Sequence, residues 1–371
     1  MRLTAGLQRI QVIIGGYIFR GIGSMFNYKN LVEGTSPYVI AEIGANHNGD
    51  MALAKQMIDA ALACGADAAK FQSWTASSLI CREEYQANQS YDDDPKKHFG
   101  SLEQMVEKYY LRTDQHHELK QYCDEIGIDF CSTPFAPGEV DLLCDMNAPF
   151  IKVASMDINH WPLLRYIATK KKPVILSTGM AEMSEIDQAV RLLENEGINE
   201  IAILHCISIY PPKNEDIHLK NMETLKQAFG YPVGLSDHSI GSAIPLASVA
   251  LGGCIIEKHF TTNKDLEGWD HRISADPAEM TEICHGSKAI AEAMGNHRRT
   301  VSQAEKDKIQ KFRRSIVLKR AMKAGEVITA EDLDFKRPAT AIAPDKMDFV
   351  VGRRLNTALD ADALVHWRHL D

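Results

Sequence analysis

The sequence predicts an α/β protein, a (β/α)₈ TIM barrel followed by a small second domain. Apolar, β-branched runs alternate with stretches of helical periodicity, and several of the predicted helices end at a glycine before the next run. Such alternation implies parallel strands with right-handed crossovers, and eight units over about 250 residues favour a closed barrel. A doubly wound open sheet is the alternative, but no G-x-G-x-x-G motif occurs in the chain.

The elements follow in order along the chain. The eight predicted strands are residues 38–44, 67–74, 129–135, 150–155, 173–179, 200–208, 232–239 and 254–261. Helical periodicity is clearest at residues 51–65, 113–127, 182–197 and 243–253. The connection at 75–128 is much longer than the others, which is typical of a lid or a disordered loop, and we expect "YDDDPKK" (91–97) to be a solvated turn.

Four regions are predicted. They are a disordered N-terminal extension (1–35), the barrel (36–295), a charged linker with some helix (296–314) and a small domain with short strands (315–371). The apolar run at 10–19 is too short to span a bilayer and lacks a cleavage site, so no membrane span is expected. An upstream start before Met25, or a weak membrane-surface contact, are the alternatives for the extension.

Composition narrows the function classes. The net charge is −9, from 41 basic and 50 acidic residues, and no basic block is interleaved with aromatic residues, so nucleic acid is not an expected partner. The eight cysteines form no C-x-x-C pair, which indicates reduced thiols and a cytoplasmic protein. Cys206, beside His205, is the one cysteine that stands near candidate chemistry.

Polar residues occupy the C-terminal end of every predicted strand. Because the strand ends of a TIM barrel meet at one face, these side chains predict a single catalytic mouth. In strand order they are Glu42 and Asn46; Lys70 and Gln72; Ser132 and Thr133; Lys152 and Ser155; Ser177 and Thr178; His205 and Ser208; Ser236, Asp237 and His238; Glu257, Lys258 and His259.

Two kinds of chemistry are expected at this mouth. Lys70 and Lys152, with nearby hydroxyl groups, suit a phosphate, although a barrel lysine can also merely pair with a carboxylate. His238 and His259 end adjacent strands, so one divalent metal between them would keep positions open for water and a carbonyl oxygen. His205 is expected to be either a third ligand or a hydrogen-bonding neighbour of the site. Together these groups indicate condensation of an enolpyruvate with a sugar.

The motifs themselves carry a resemblance. "AEIGANHNGD", "KFQ", "STPF", "KVAS", "LSTGM", "HCISIYP", "GLSDHS" and "EKHFT" resemble the sialic acid synthase (N-acetylneuraminate, or nonulosonate, synthase) family. The tail "GEVITAEDLDFKRP" is similar to that family's C-terminal antifreeze-like (SAF) domain. The resemblance runs from about residue 36 to the end.

The resemblance implies a transferase of carbohydrate biosynthesis. Its partners would be phosphoenolpyruvate and an N-acyl sugar such as N-acetylmannosamine, and its cofactor a divalent metal, Mn²⁺ first, with Mg²⁺ or Co²⁺ as alternatives. His238 and His259 would bind the metal, and Glu42, Lys70 and Lys152 would be catalytic. The substrate-binding residues would be Thr133, Ser155, Ser177, Ser208, Tyr210, Ser236, Glu257, Asp270 and Arg337.

The resemblance further implies a domain-swapped homodimer, in which Arg337 of "KRP" reaches the sugar's acyl group in the other subunit. Three segments depart from the family pattern and lie on the expected sugar side: "KRPATAIAP", "KVASMD" and "GWDHRISADP". Other acceptors therefore stay open, leading to legionaminic, pseudaminic or 9-phosphate products. Two other functions are also open: a Schiff-base aldolase using Lys70, Lys152 or Lys258, and a non-catalytic sugar-binding protein.

Overall fold

A computed structural model describes residues 24–34, 36–89 and 100–371, together with the backbone of 12–14 and 17–19. The described residues fall into two compact units, divided between Gly295 and Asn296. The predicted turn at 91–97 lies outside the described residues. The boundaries proposed at 35, 295 and 314 stay predictions.

The first unit is a barrel of eight parallel strands, as the alternation of elements predicted. A short antiparallel pair precedes it, β1 (Val12–Ile14) and β2 (Tyr17–Phe19). The barrel strands are β3 (Tyr38–Gly44), β4 (Ala68–Ser73), β5 (Asp129–Pro134), β6 (Ile151–Val153), β7 (Val174–Ser177), β8 (Ile201–Cys206), β9 (Val233–Asp237) and β10 (Ile255–His259).

The ladder runs in the order β5, β4, β3, β10, β9, β8, β7, β6, so that the first and last barrel strands pair and nearly close the cylinder. Among the described residues the ladder is interrupted between β5 and β6 only. Interior side chains at the strand ends therefore share one mouth, as they do in other barrels of this type.

Helices lie between the strands and cover the outside of the barrel. Gly65 and Gly127 end two of them in the left-handed conformation, with φ of 91° and 82°, as the sequence predicted. The helices of the first unit are α1 (Tyr28–Glu33), α2 (Met51–Cys64), α3 (Ala76–Leu79), α4 (Arg82–Ala87), α5 (Leu102–Tyr109), α6 (Thr113–Ile126), α7 (Pro137–Asp145), α8 (Trp161–Thr169), α9 (Met183–Asn195), α10 (Asn214–Ile217), α11 (Asn221–Phe229), α12 (Ala243–Ala250) and α13 (Pro277–Met294). No helix in the described part of the chain is both long and apolar enough to cross a bilayer.

The end of the predicted N-terminal extension is ordered, which corrects the expectation of disorder for residues 24–34. The backbone N–H groups of Met25 and Phe26 donate to the carboxylate of Asp129, at 3.0 and 2.8 Å. The ring of Phe26 packs against Tyr38 and Phe150 at the N-terminal ends of their strands. The segment thus packs against apolar side chains at the N-terminal ends of the strands and covers the bottom of the barrel. Residues 1–11, 15–16, 20–23 and 35 lie outside the described residues.

The long connection between β4 and β5 carries four helices, α3 to α6, rather than an irregular loop over its described part. Its buried residues include Met105, Val106 and Tyr109, and they pack with Trp74 at the end of β4. This aromatic cluster lies beside the mouth of the barrel.

The second unit has its own apolar core, which includes Ile316, Leu318, Ile328 and Val365. Its strands β11 (Ser315–Leu318) and β12 (Leu333–Lys336) are antiparallel, and a tight turn at 323–326 has Gly325 at φ 87°. Two short helices, α14 (Gln303–Lys306) and α15 (Ile309–Phe312), occupy part of the predicted linker. The unit also contains three short 3₁₀ helices, at Ala330–Asp332, Pro344–Phe349 and Trp367–His369.

Candidate functional site

A cavity of about 430 Å³ opens at the C-terminal ends of the barrel strands. The structure brings thirteen of the predicted residues into its lining, while six strand-end residues that were expected at the mouth lie outside it: Asn46, Ser132, Thr178, His205, Asp237 and Lys258. The thirteen in the lining are Glu42, Lys70, Thr133, Lys152, Ser155, Ser177, Ser208, Tyr210, Ser236, His238, Glu257, His259 and Asp270. Arg337 lies in the second unit, with its guanidinium carbon 5.0 Å from the centre of the Phe312 ring.

One half of the cavity floor is built around Lys70. Glu42 and Lys70 are register partners on β3 and β4, and Oε2 of Glu42 lies 2.7 Å from Nζ of Lys70. Lys70 Nζ also donates to Oγ1 of Thr133 at 3.1 Å, and Gln72 Nε2 donates to Oε1 of Glu42 at 2.8 Å. Three neighbouring strands thereby hold one buried ammonium and one carboxylate in a fixed relation.

The other half is built around Glu257. Its Oε1 accepts a hydrogen bond from Ser236 Oγ at 2.9 Å and lies 3.7 Å from Lys152 Nζ. Its Oε2 lies 3.6 Å from Lys70 Nζ, so Glu257 stands between the two lysines. Lys152 Nζ donates to Ser177 Oγ at 2.6 Å. Two ammonium groups and a set of hydroxyls therefore face one space, as an oxyanion site requires.

Burial and neighbouring charges shift the pKa values of the two glutamates in opposite directions, and likewise those of the two lysines. Burial raises the pKa of the Glu42 carboxyl above its ordinary value, against the opposing charge of Lys70. Burial also raises the pKa of Glu257, but Lys152 and Lys70 outweigh it and hold that pKa below its ordinary value. Burial lowers the pKa of Lys152, and Glu257 offsets this only in part. For Lys70 the carboxylates Glu257 and Glu42 overcome burial, so its pKa is raised and the group stays an ammonium.

Two imidazoles stand on the same side of the cavity. The ring centres of His238 and His259 are 5.4 Å apart, and Tyr210 stacks on His238 with ring centres 4.0 Å apart. Burial lowers the pKa of His259 to about 3, although Asp270 lies 3.5 Å from its Nδ1. A neutral imidazole is the form that binds a metal.

The donor set fits a divalent metal with a small number of protein ligands. Nδ1 of His238 lies 2.8 Å from the carbonyl oxygen of Ile207, an arrangement that orients many metal-binding histidines. Nδ1 of His259 is buried and has no hydrogen-bond partner among the described residues. In that part of the chain no group of three or more His, Cys, Asp or Glu side chains is placed to hold a metal, so further ligands would come from water and substrate.

Lys258 does not belong to the cavity, which corrects its place among the candidate nucleophiles. Strand side chains alternate, so Glu257 and His259 point inward while Lys258 points outward. Its Nζ lies 2.6 Å from Oδ2 of Asp237 and also donates to the carbonyl oxygen of Ser239, and the side chain is fully buried. His205 likewise bonds the carbonyl oxygen of Ile217 and lies outside the cavity lining.

Several lining residues were not predicted as site residues. Phe135 and Trp269 form an aromatic wall, and the ring centre of Trp269 lies 6.1 Å from that of Trp74 and 5.7 Å from that of Tyr109. Their positions next to "STP" and "DH" were the available signal. The remaining lining residues are Gln72, which the sequence predicted at a strand end, and Ala154, Met156, Met180 and Cys206. Cys206 is reduced, as are the other seven cysteines, all of which were expected to be free thiols.

The chain was compared with protein families, with curated proteins and with solved structures. Residues 57–299 match the NeuB family and residues 313–371 match the SAF domain. Two relatives are N,N'-diacetyllegionaminic acid synthases: that of Campylobacter jejuni is 39% identical over 88% of this chain and 98% of its own, and that of Legionella pneumophila 36% identical over 90% and 94%. A crystal structure of N-acetylneuraminic acid (sialic acid) synthetase from Leptospira borgpetersenii in complex with citrate superposes with a TM-score of 0.66 and 31% identity, covering 81% of this chain and 95% of that one.

Proposed function

The chain is an enzyme of the NeuB family, and on this premise we propose that it condenses phosphoenolpyruvate with an N-acyl hexosamine to give a nonulosonic acid and phosphate. The observation that carries the proposal is the placing of two buried lysines, two buried glutamates and two histidines around one cavity. Phosphate, carboxylate and aldehyde each find complementary groups there.

Lys70 and Lys152 are proposed to bind the anionic substrate. Each ammonium is buried and faces hydroxyl groups, Thr133 for Lys70 and Ser177 for Lys152. Charge-assisted hydrogen bonds are strongest where water is excluded, so a phosphate or carboxylate entering here would gain more than at the surface. Ser155 is held in place on this side of the cavity, because its Oγ accepts a hydrogen bond from the N–H of Gly179 at 3.0 Å.

His238 and His259 are proposed to hold a divalent metal, Mn²⁺ first, with Mg²⁺ or Co²⁺ as alternatives. When bound there, the metal would supply Lewis acidity toward the aldehyde oxygen of the open-chain sugar.

The protein's own groups account for the rest of the chemistry. The electron pair of the C2–C3 double bond of the enolpyruvate bonds C3 to C1 of the aldehyde, and the electron pair of the C1–O double bond moves onto the aldehyde oxygen. Water adds to the cation that this leaves at C2, and the proton that the water releases passes through Glu42 to the aldehyde oxygen. Glu42 is proposed to place that water and to accept its proton, because the pKa of this buried carboxyl is raised toward that of a useful base. The C2–O bond to phosphate then breaks with its electron pair, the C2 hydroxyl becomes the ketone as its proton passes to the departing phosphate, and Lys70 and Lys152 stabilise the departing charge.

The acceptor sugar is tested by a panel assay. Enzyme, phosphoenolpyruvate and Mn²⁺ are incubated with N-acetylmannosamine, its 6-phosphate and 2,4-diacetamido-hexoses, and phosphate release is followed. The relatives named for N,N'-diacetyllegionaminic acid support placing a diacetamido-hexose in the panel beside N-acetylmannosamine. Silence with every sugar would remove the synthase proposal.

The Schiff-base alternative has a separate test. Lys70 stays an ammonium, whereas the pKa of Lys152 is lowered, so Lys152 is the lysine that this alternative would require. Borohydride reduction with pyruvate and chelator should trap no adduct; a covalent adduct on Lys152 would favour an aldolase.

The homodimer and the contact of Arg337 with the sugar's acyl group are also proposals. Sedimentation equilibrium measures the first. For the second, Arg337→Lys should raise KM for the acceptor and leave KM for phosphoenolpyruvate unchanged, because a guanidinium offers paired donors that an ammonium lacks.

A further inference from the structure

The loop at residues 261–274, which we call the wall loop, carries two of the cavity residues, Trp269 and Asp270. Its base is closed by backbone hydrogen bonds: the N–H of Thr261 donates to the carbonyl of Ala275 at 3.0 Å, and the N–H of Ala275 donates to the carbonyl of His259 at 2.7 Å. Beyond the base, side chains from another strand end hold the loop.

Asn46 holds the wall loop near its base. The side chain is fully buried, and its Nδ2 donates to the carbonyl oxygen of Phe260 and to Oγ of Ser274, each at 2.9 Å. Ser274 Oγ in turn donates to the carbonyl oxygen of Asp270 at 2.6 Å. One amide therefore joins the residue that follows His259 to the backbone of Asp270.

Asn48 holds the wall loop near its tip. Its Nδ2 donates to the carbonyl oxygen of Glu267 at 2.7 Å, and its Oδ1 lies 3.3 Å from Nε2 of His271. His271 is fully buried, and its Nδ1 lies 2.7 Å from Oγ1 of Thr261. The backbone of Asn48 is left-handed, at φ 53°, a conformation that asparagine tolerates and that aims its amide at the loop.

The same turn also meets the aromatic cluster. A Cβ placed on Gly49 would come within 2.2 Å of the carbonyl oxygen of Lys108, so the turn abuts the end of α5 directly. The next residue, Tyr109, packs against Trp269. The turn at 45–49 is thus in contact with the wall loop on one side and, on the other, with the end of α5, whose Tyr109 packs against Trp269.

We propose that Asn46 and Asn48 are positioning residues for acceptor binding: they fix the wall loop so that Asp270 faces His259 and Trp269 faces the cavity. The inference rests on the proposed function, because it assigns the acceptor to this side of the cavity. Neither asparagine lines the cavity, so neither is expected to touch substrate. The hydrogen bonds found for these two amides in the described structure go to the wall loop and the residue before it, and those of Lys152 go to Val153 and Ser177.

The test compares Asn48→Gly and Asn46→Ala with wild type. Glycine tolerates the left-handed backbone and removes the side chain with its amide, so Asn48→Gly is the informative variant if Asn46→Ala does not fold. Asn147→Gly is a matched control: Asn147 is also left-handed, at φ 55°, exposed, and lies before the N-terminal end of β6, away from the mouth.

Asn48→Gly should raise KM for the accepted sugar about tenfold and leave KM for phosphoenolpyruvate within twofold, since small misplacements of a substrate-positioning group have effects of this size. Hydrogen exchange of the amides at 262–273 should quicken about tenfold, with β5 amides unchanged. Asn147→Gly should change neither quantity.

An equal rise in the KM for the sugar and the KM for phosphoenolpyruvate would overturn the inference. Unchanged amide hydrogen exchange in the wall loop would overturn it as well. The exchange measurement needs neither substrate nor metal. If the wild type accepts no sugar, the proposed function fails, while faster exchange in Asn48→Gly would still show that the asparagine holds the loop.

Discussion

Glu42 and Lys70 form a buried ion pair across neighbouring strands, with Oε2 and Nζ 2.7 Å apart. The pair is anchored on both sides, by Gln72 behind the carboxylate and by Thr133 beside the ammonium. It places a carboxylate with a raised pKa next to a permanent positive charge, at the floor of a cavity that is open to substrate.

Glu42→Gln should lower kcat about 100-fold, because the amide cannot accept the proton of water. The fold should persist, since Glu257 still faces Lys70 at 3.6 Å and the amide retains the shape of the side chain. Phosphate release measures kcat, and circular dichroism confirms folding. A kcat within twofold of wild type would remove Glu42 from the chemistry.

The same residue predicts the acidic limb of the pH profile. The pKa of Glu42 is raised, so its carboxylate is lost at a higher pH than that of an ordinary glutamate, and kcat/KM should fall as pH drops through this raised value. Glu42→Gln should lack the limb. A limb that survives in the variant would have to arise from another group.

Metal removal should abolish turnover and lower the melting temperature. Added Mn²⁺ should restore both, because a ligand that binds the folded state alone stabilises it, by about 2.7 kcal/mol at 100 times its Kd. His238→Asn and His259→Asn should each lose most of the Mn²⁺-dependent rise in melting temperature. The exposed His117→Asn serves as control. An unchanged rise in both site variants would place the metal elsewhere.

His47 predicts a loss of stability in mild acid. Burial, with a smaller effect of His116, lowers the pKa of His47 from 6.5 to about 4, and its Nδ1 accepts from the N–H of Gly49 at 3.0 Å. Between these two pH values the unfolded chain binds a proton that the folded chain does not, so stability falls as pH drops through this window. The slope is about 1.4 kcal/mol per pH unit for one such group.

In urea unfolding experiments from pH 4.5 to 7.5, His47→Asn should reduce the slope of the free energy of unfolding against pH by about 1.4 kcal/mol per pH unit, which corresponds to one proton. The exposed His297→Asn should leave it unchanged. Equal slopes in His47→Asn and wild type would show that His47 is not the group responsible.

Gly234→Ala should destabilise the barrel by about 1–3 kcal/mol or more. A Cβ there would lie 2.4 Å from the carbonyl oxygen of Ile255 and 2.8 Å from Cδ2 of Leu204, so two neighbouring strands would have to move. Gly138→Ala is the control, because a Cβ there meets nothing within 4 Å and alanine favours the helix. Thermal unfolding compares the two; equal melting temperatures would contradict the crowding argument.

The barrel was predictable because its signals are local. The strand at 38–44 has the predicted bounds, and the other seven strands differ from prediction at their ends by two residues or fewer, since apolar runs mark the strands and glycines end several of the helices. The parallel arrangement predicted most of the mouth, since strand ends meet at one face, whereas Tyr210 and Asp270 followed only from the resemblance. Strand alternation would also have excluded Lys258, which lies between the inward-pointing Glu257 and His259.

Other features depend on contacts between distant segments. Trp269 faces the cavity because Tyr109 and Trp74 support it, and no pattern near residue 269 announces those partners. Residues 24–34 resemble a tail in sequence, yet they are ordered because Asp129 and Phe150 offer a carboxylate and a ring at the barrel bottom. Tertiary partners of this kind are not encoded in local periodicity.

The interruption of the ladder between β5 and β6 would give a bound substrate a structural role. Thr133 stands on β5 and Lys152 on β6, so the two edges of this seam each contribute a cavity residue. An anion bound to both residues would link two neighbouring strands that share no ladder hydrogen bonds.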